Sequence, residues 1–123
     1  MEKGFDFIVN LGFKHAGDWK EDELNEEKKI KAKLNDYGKS LKKVLYAFVV
    51  DKNVKYVGKT TGELKRRMTD YRNRVSAGQY TNSRIRDEIA KNLKHGDVSI
   101  YALSNNDVNV KAENINDLIT YTA

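Results

Sequence analysis

Between Val44 and Met68 the chain reads VLYAFVVDKNVKYVGKTTGELKRRM, and Tyr71 follows closely. Tyr46 and Tyr56 stand in two short apolar runs. Gly58 and Lys59 come directly after the second, and Arg67 lies among a cluster of basic residues. A phenolic hydroxyl both donates and accepts hydrogen bonds, while lysine and arginine bring fixed positive charge and several donors. Gathered around one hairpin, these groups suit an anionic, acceptor-rich ligand. The charge distribution points the same way. From Lys59 to Lys94 basic residues outnumber acidic ones ten to four, so this segment carries more net positive charge than the +5 of the whole chain. A field of that kind attracts polyanions, nucleic acid first among them. A merely solvated helix surface accounts for the charge equally well.

Other chemistries find less support. Gly58-Lys59-Thr60 resembles the end of a phosphate-cradling nucleotide loop, but VKYVGKT lacks the spaced glycine that such a loop requires. The chain has no cysteine, which excludes disulfides and thiolate metal sites and suits a reducing cytoplasm. Neither His15 nor His95 has a partner at zinc-ligand spacing. At 123 residues, with 39% hydrophobic and 33% charged, the sequence predicts one globular domain with a single modest core. The segment MEKGFDFIVNLGF mixes acidic residues with a short apolar patch, so it reads as neither a secretory signal nor a membrane span.

The elements that must hold these residues follow from periodicity. Residues 1–19 carry scattered aromatic and apolar positions broken by glycines and read as a short strand or irregular packing segment. In residues 20–43, Ile30, Leu34, Tyr37 and Leu41 recur at helical spacing, predicting a helix with a narrow buried stripe. Val44–Val50 and Val54–Val57, joined by Asp51-Lys52-Asn53, predict an antiparallel hairpin, with Tyr46 on the face of Val44, Phe48 and Val50. Thr60 and Glu63 read as a capping box opening a helix striped by Leu64, Met68, Tyr71 and Val75. Arg67 falls at the edge of that stripe. A second helix begins near Thr81-Asn82-Ser83 and buries Ile85, Ile89 and Leu93, and Val98–Leu103 is a strand. The sum is an α+β domain, a small antiparallel or mixed sheet flanked by helices.

Tyr46, then Tyr56-Val57-Gly58-Lys59, then Leu64 to Met68 with Arg67 among them, resembles the ordered signature of the GIY-YIG nuclease family. The first motif here is Val44-Leu45-Tyr46, which keeps only the tyrosine, and the second has Val57 for isoleucine. The similarity covers roughly residues 44–103, so residues 1–43 are expected to form an N-terminal extension and 44–123 the core. The resemblance implies a DNA endonuclease, closer to restriction-type members than to homing enzymes. In that reading Tyr46, its acidity raised by Lys59, accepts the proton of the attacking water or orients it. Tyr56 supports the network and Arg67 grips the scissile phosphate. Tyr71 takes the place of a family histidine, or simply packs the helix. Gly58 would allow a sharp turn at the strand end and a close phosphate approach.

The resemblance further implies one Mg2+ or Mn2+ held by a late glutamate, for which Glu113 is the candidate. Glu113 precedes Leu118 by five residues rather than the usual three. Lys65, Arg66, Arg72, Arg74, Arg84 and Arg86 would supply sequence-independent affinity for the DNA backbone. A homodimer is expected if both strands are cut, and no membrane partner is expected. The rival readings are a GIY-YIG-fold DNA-binding module without catalysis and, further off, a protein-interaction domain with solubilising basic helices.

Overall fold

The computed structural model describes residues 4–24, 29–73 and 80–104. The chain runs α1 (Phe5–Leu11), β1 (Lys14–Glu21), β2 (Ile30–Leu34), α2 (Asp36–Ser40), β3 (Leu45–Val50), β4 (Asn53–Lys59), α3 (Leu64–Asn73), α4 (Tyr80–Leu93) and β5 (Val98–Leu103). The strands form one antiparallel sheet in the order β2-β1-β5-β3-β4. The architecture is α+β, as the periodicity predicts.

The hairpin β3–β4 is local in origin. Its two apolar runs are rich in β-branched and aromatic residues, and Asp51 and Lys52 both adopt positive φ (49° and 64°), as a two-residue turn matched to strand twist requires. Lys55 is an extra residue in β4: Phe48 pairs with Tyr56 and Val49 with Val54, so the bulge returns Tyr56 to the face of Phe48 and Tyr46.

Alternation then divides the core into two layers. Trp19, Tyr46, Phe48 and Ile100 lie beneath the helical layer with Leu64, Met68 and Tyr71 of α3 and Ile85 and Ile89 of α4. Ala47, Val49, Val57 and Leu103 face the opposite side, where Ile8 and Phe13 cover them from α1 and its exit. The sheet is buried on both faces, which explains why β3 reads as a nearly unbroken apolar run.

Two local expectations are corrected. Residues 20–43 are not one helix: β1 ends at Glu21, β2 occupies Ile30–Leu34, and α2 is a short turn of helix. Ile30 and Leu34 are four apart, a spacing that fits one face of a strand as well as one face of a helix, and β2 buries both against the core. β1 and β2 therefore belong to the same sheet as the hairpin, and β1 pairs directly with β5. In the segment read as a short strand or irregular packing, Phe5–Leu11 are helical, and a strand begins at Lys14 as one of the two readings expected.

The second correction concerns the start of α3. Thr60 does not cap it. Its Oγ1 accepts from the Gly62 N–H at 3.2 Å in a small turn, and the helix begins four residues later, where Arg67 N–H bonds to Glu63 O. Leu64 N–H reaches back to Leu41 O, and Lys43 N–H to Gly62 O, which ties the helix start to the segment entering β3. No helix among the described residues is long and apolar enough to cross a membrane.

Candidate functional site

The site is assembled where α3 crosses the β3–β4 hairpin beside the first turn of α4. β3 supplies Tyr46, β4 supplies Tyr56, α3 supplies Arg67 and Tyr71, and α4 supplies Asn82. Arg67 and Tyr71 are four apart and therefore neighbours on one side of α3. The Arg67 guanidinium carbon lies 4.3 Å from the Tyr71 ring centroid.

The polar contacts form one network. The Tyr46 and Tyr71 hydroxyls share a 2.7 Å hydrogen bond. Arg67 Nε donates to Tyr46 Oη at 3.1 Å. Arg67 Nη2 donates to Tyr71 Oη at 3.2 Å and to Asn82 Oδ1 at 3.3 Å. A guanidinium has five N–H donors. Three point into the protein, and the two on Nη1 have no partner among the described residues. The side chain is held on its inner edge and open on its outer one. Of the two hydroxyl protons, one is used between the tyrosines, and the other is left for Tyr56 or for an oxygen of a ligand.

Burial sets the acidity of the pair. Tyr46 is 1% exposed and Tyr71 fully buried. Desolvation raises the Tyr46 pKa above the usual tyrosine value, and the Arg67 charge only partly opposes it. Desolvation raises Tyr71 further, reinforced by its tyrosine neighbours. Both hydroxyls stay protonated at neutral pH, contrary to the expectation that a nearby cation makes Tyr46 acidic. The cation that hydrogen-bonds Tyr46 is Arg67, not Lys59. Lys59 pairs with Leu45, and its register puts it on the opposite face of the sheet from Tyr46, exposed.

Gly58 also takes a different role. β4 continues through it to Lys59, and it sits directly across from Tyr46. A Cβ on Gly58 would lie 2.6 Å from both the ring carbon Cζ and the hydroxyl of Tyr46. The glycine is needed so that the tyrosine ring can lie over the neighbouring strand, not for a turn. Tyr56 is half-buried with its ring 6.2 Å from that of Tyr71. Trp19 and Phe48 pack edge-on to Tyr71 and fix its plane.

The remaining basic residues do not form one surface. Lys65, Arg66 and Arg84 are exposed. Arg72 is bound to Asp22, whose carboxyl is held below the usual carboxylate range chiefly by that hydrogen bond. Arg86 is 9% exposed, beside Asp87, so it does not join an open phosphate-tracking face as expected. Arg74 and Glu113 lie outside the described residues. Among the described residues no three histidine, aspartate or glutamate side chains gather as a metal site. Sequence reasoning missed Asn82 as a partner of Arg67. Its position in the first turn of a helix gives it the look of a capping residue, and only the packing of α4 on α3 reveals the contact.

No family model and no curated protein sequence matches the chain. Solved structures do. One is an EndoII mutant of bacteriophage T4, at 23% identity and a TM-score of 0.63, covering 80% of this chain and 71% of that one. Another is the restriction endonuclease HPY188I in complex with product DNA, at 19% identity and a TM-score of 0.59, covering 80% of this chain and 59% of that one. The chain shares its fold with these two endonucleases. At 80% of this chain, each match extends beyond the hairpin and α3.

Proposed function

We propose that this protein is a metal-dependent DNA endonuclease of the GIY-YIG type, hydrolysing a phosphodiester bond. The observation that carries the reading is Arg67: a guanidinium fixed by two tyrosine hydroxyls and an asparagine, with both Nη1 donors unused among the described residues. That arrangement leaves a fixed positive charge with an N–H free to donate to a phosphate oxygen. The likeness in fold to two endonucleases, one of them seen with product DNA, supports the substrate class.

In this mechanism Arg67 binds the scissile phosphate and stabilises charge gathering on its oxygens as water attacks in line. Because burial keeps its hydroxyl protonated, Tyr46 orients the attacking water or a phosphate oxygen by hydrogen bonding rather than by removing a proton as phenolate, and the proton that the water loses passes to solvent, from which the leaving 3′ oxygen takes one. Tyr71 holds both Tyr46 and Arg67 in place, and Tyr56 closes the hydroxyl cluster. A divalent Mg2+ or Mn2+ carried by Glu113 would stabilise the leaving 3′ oxygen.

The test is incubation of supercoiled plasmid with the pure protein and Mg2+ or Mn2+, beside Tyr46→Phe, Arg67→Ala and Glu113→Gln. Nicking by the parent that disappears in all three variants supports the enzyme. Plasmid binding without nicking by the parent points instead to a non-catalytic DNA-binding module, and nicking that survives in the variants refutes the site.

A further inference from the structure

A basic concavity lies on the far side of α3 from Arg67. It is about 330 Å3 in volume, where α3 packs against β2 and α2, and Lys31, Lys39, Lys65 and Arg72 line it with Thr69. The apolar floor comes from the Leu34 and Met68 side chains. Asp22 neutralises Arg72. Lys31, Lys39 and Lys65 are exposed, and none of them has a carboxylate within salt-bridge distance among the described residues. In sequence Lys31 and Lys39 look like solvated positions, separated from Lys65 by the whole hairpin. The fold brings the three lysines to one groove.

The groove and Arg67 flank α3. Leu64, Met68 and Tyr71 mark its buried side. At about 100° per residue, Lys65 and Arg67 emerge roughly 160° apart around the axis. Arg66, Thr69 and Asn73, all exposed, and the half-exposed Asp70 occupy the outer face between them. One nucleic-acid strand contacting both edges would have to bend over the helix. A duplex would not: a helix with its side chains is about 10–12 Å across, and the major groove of B-form DNA is about 12 Å wide.

We propose that this groove binds the backbone of the strand opposite the one held at Arg67, with α3 lying across the major groove between them. The proposal rests on the DNA-endonuclease reading and adds the orientation of the duplex and two residues, Lys31 and Lys39, which join Lys65 in binding without taking part in the chemistry.

The experiment compares the parent with the triple variant Lys31→Ala, Lys39→Ala and Lys65→Ala. Labelled duplex and labelled single strand of the same sequence are titrated in EDTA, so that binding is read without cleavage, over a series of salt concentrations. All three side chains are exposed, and circular dichroism checks the fold. The expected result is a loss of duplex affinity on the order of 10- to 100-fold at low salt, with the salt slope shallower by about 0.9 per lysine, and a change under threefold for the single strand. Unchanged duplex binding by the triple variant overturns the proposal while leaving the endonuclease reading intact, as does an equal loss for both ligands. Failure of the parent to bind any DNA overturns both.

Discussion

Replacing Gly58 with alanine probes the site without touching any polar group. The added methyl would lie 2.6 Å from Tyr46 Cζ and Oη, and contacts become ordinary only at 3.4 Å, so the ring must retreat by about 0.8 Å. It has little room, because Tyr46 is 1% exposed and its ring packs among Phe48, Tyr56 and Tyr71. A retreat of that size away from Tyr71 stretches their 2.7 Å hydrogen bond beyond bonding length and disturbs the 3.1 Å bond from Arg67 Nε. Alanine in a strand gains about 0.5–1 kcal/mol over glycine, and overpacking costs about 1–3 kcal/mol, so the net loss is at most about 2.5 kcal/mol. The larger effect is expected on catalysis, where misplacing a reacting group by about 1 Å costs on the order of 100-fold. Thermal unfolding and plasmid nicking are measured together, with Gly62→Ala as the control, since no atom lies within 4 Å of a Cβ there. If Gly58→Ala keeps parental stability and nicking, the account of Tyr46 lying over Gly58 is wrong.

Three further outcomes follow from the same contacts. Because the folded-state pKa values of Tyr46 and Tyr71 are raised, their contribution to stability is complete below pH 10, the ordinary tyrosine value, and declines as pH rises above it. Ultraviolet titration should show fewer than the seven tyrosines ionising near pH 10 in the folded protein, the rest appearing with alkaline unfolding, and Tyr46→Phe should make that loss of stability less steep. The Asp22 carboxyl has its folded pKa depressed below 3.8, so the stability it contributes is present above that pH and lost as pH falls through the folded value. Acid unfolding followed by circular dichroism should be less pH-dependent in this range for Asp22→Asn. Asn82→Ala frees one donor of Arg67 and should slow nicking by roughly 10- to 100-fold, with DNA affinity in EDTA changed less than the rate.

What the sequence made legible was what neighbouring residues decide. The β3–β4 hairpin, the apolar stripe of α3, most of α4 and the whole of β5 follow from short periodic runs and turn residues. Tyr46, Arg67 and Tyr71 stand out together in the sequence, and the hydroxyl and guanidinium contacts bring them together in the fold. Other features depend on partners far along the chain. The spacing of Ile30 and Leu34 satisfies two periodicities, and only pairing of β2 with β1 selects the strand. Which face Lys59 takes, and why residue 58 is glycine, depend on cross-strand register. The Tyr46 pKa depends on burial beneath helices formed later in the sequence, and the Asp22–Arg72 pair joins residues fifty apart. Arg86 reads like its basic neighbours until the packing of α4 buries it.

The role of Arg67 as the phosphate-binding group is tested by the single-turnover cleavage rate of Arg67→Lys on duplex DNA with Mg2+. Lysine keeps the charge but cannot hold two tyrosine hydroxyls and Asn82 while presenting a further fixed N–H to a phosphate. The rate should fall by about 100- to 1,000-fold, equivalent to roughly 2.7–4 kcal/mol of transition-state stabilisation, while affinity in EDTA stays within about threefold of the parent, since the charge is retained. A lysine variant that cleaves at the parental rate would contradict the assignment of Arg67 as the phosphate-binding group.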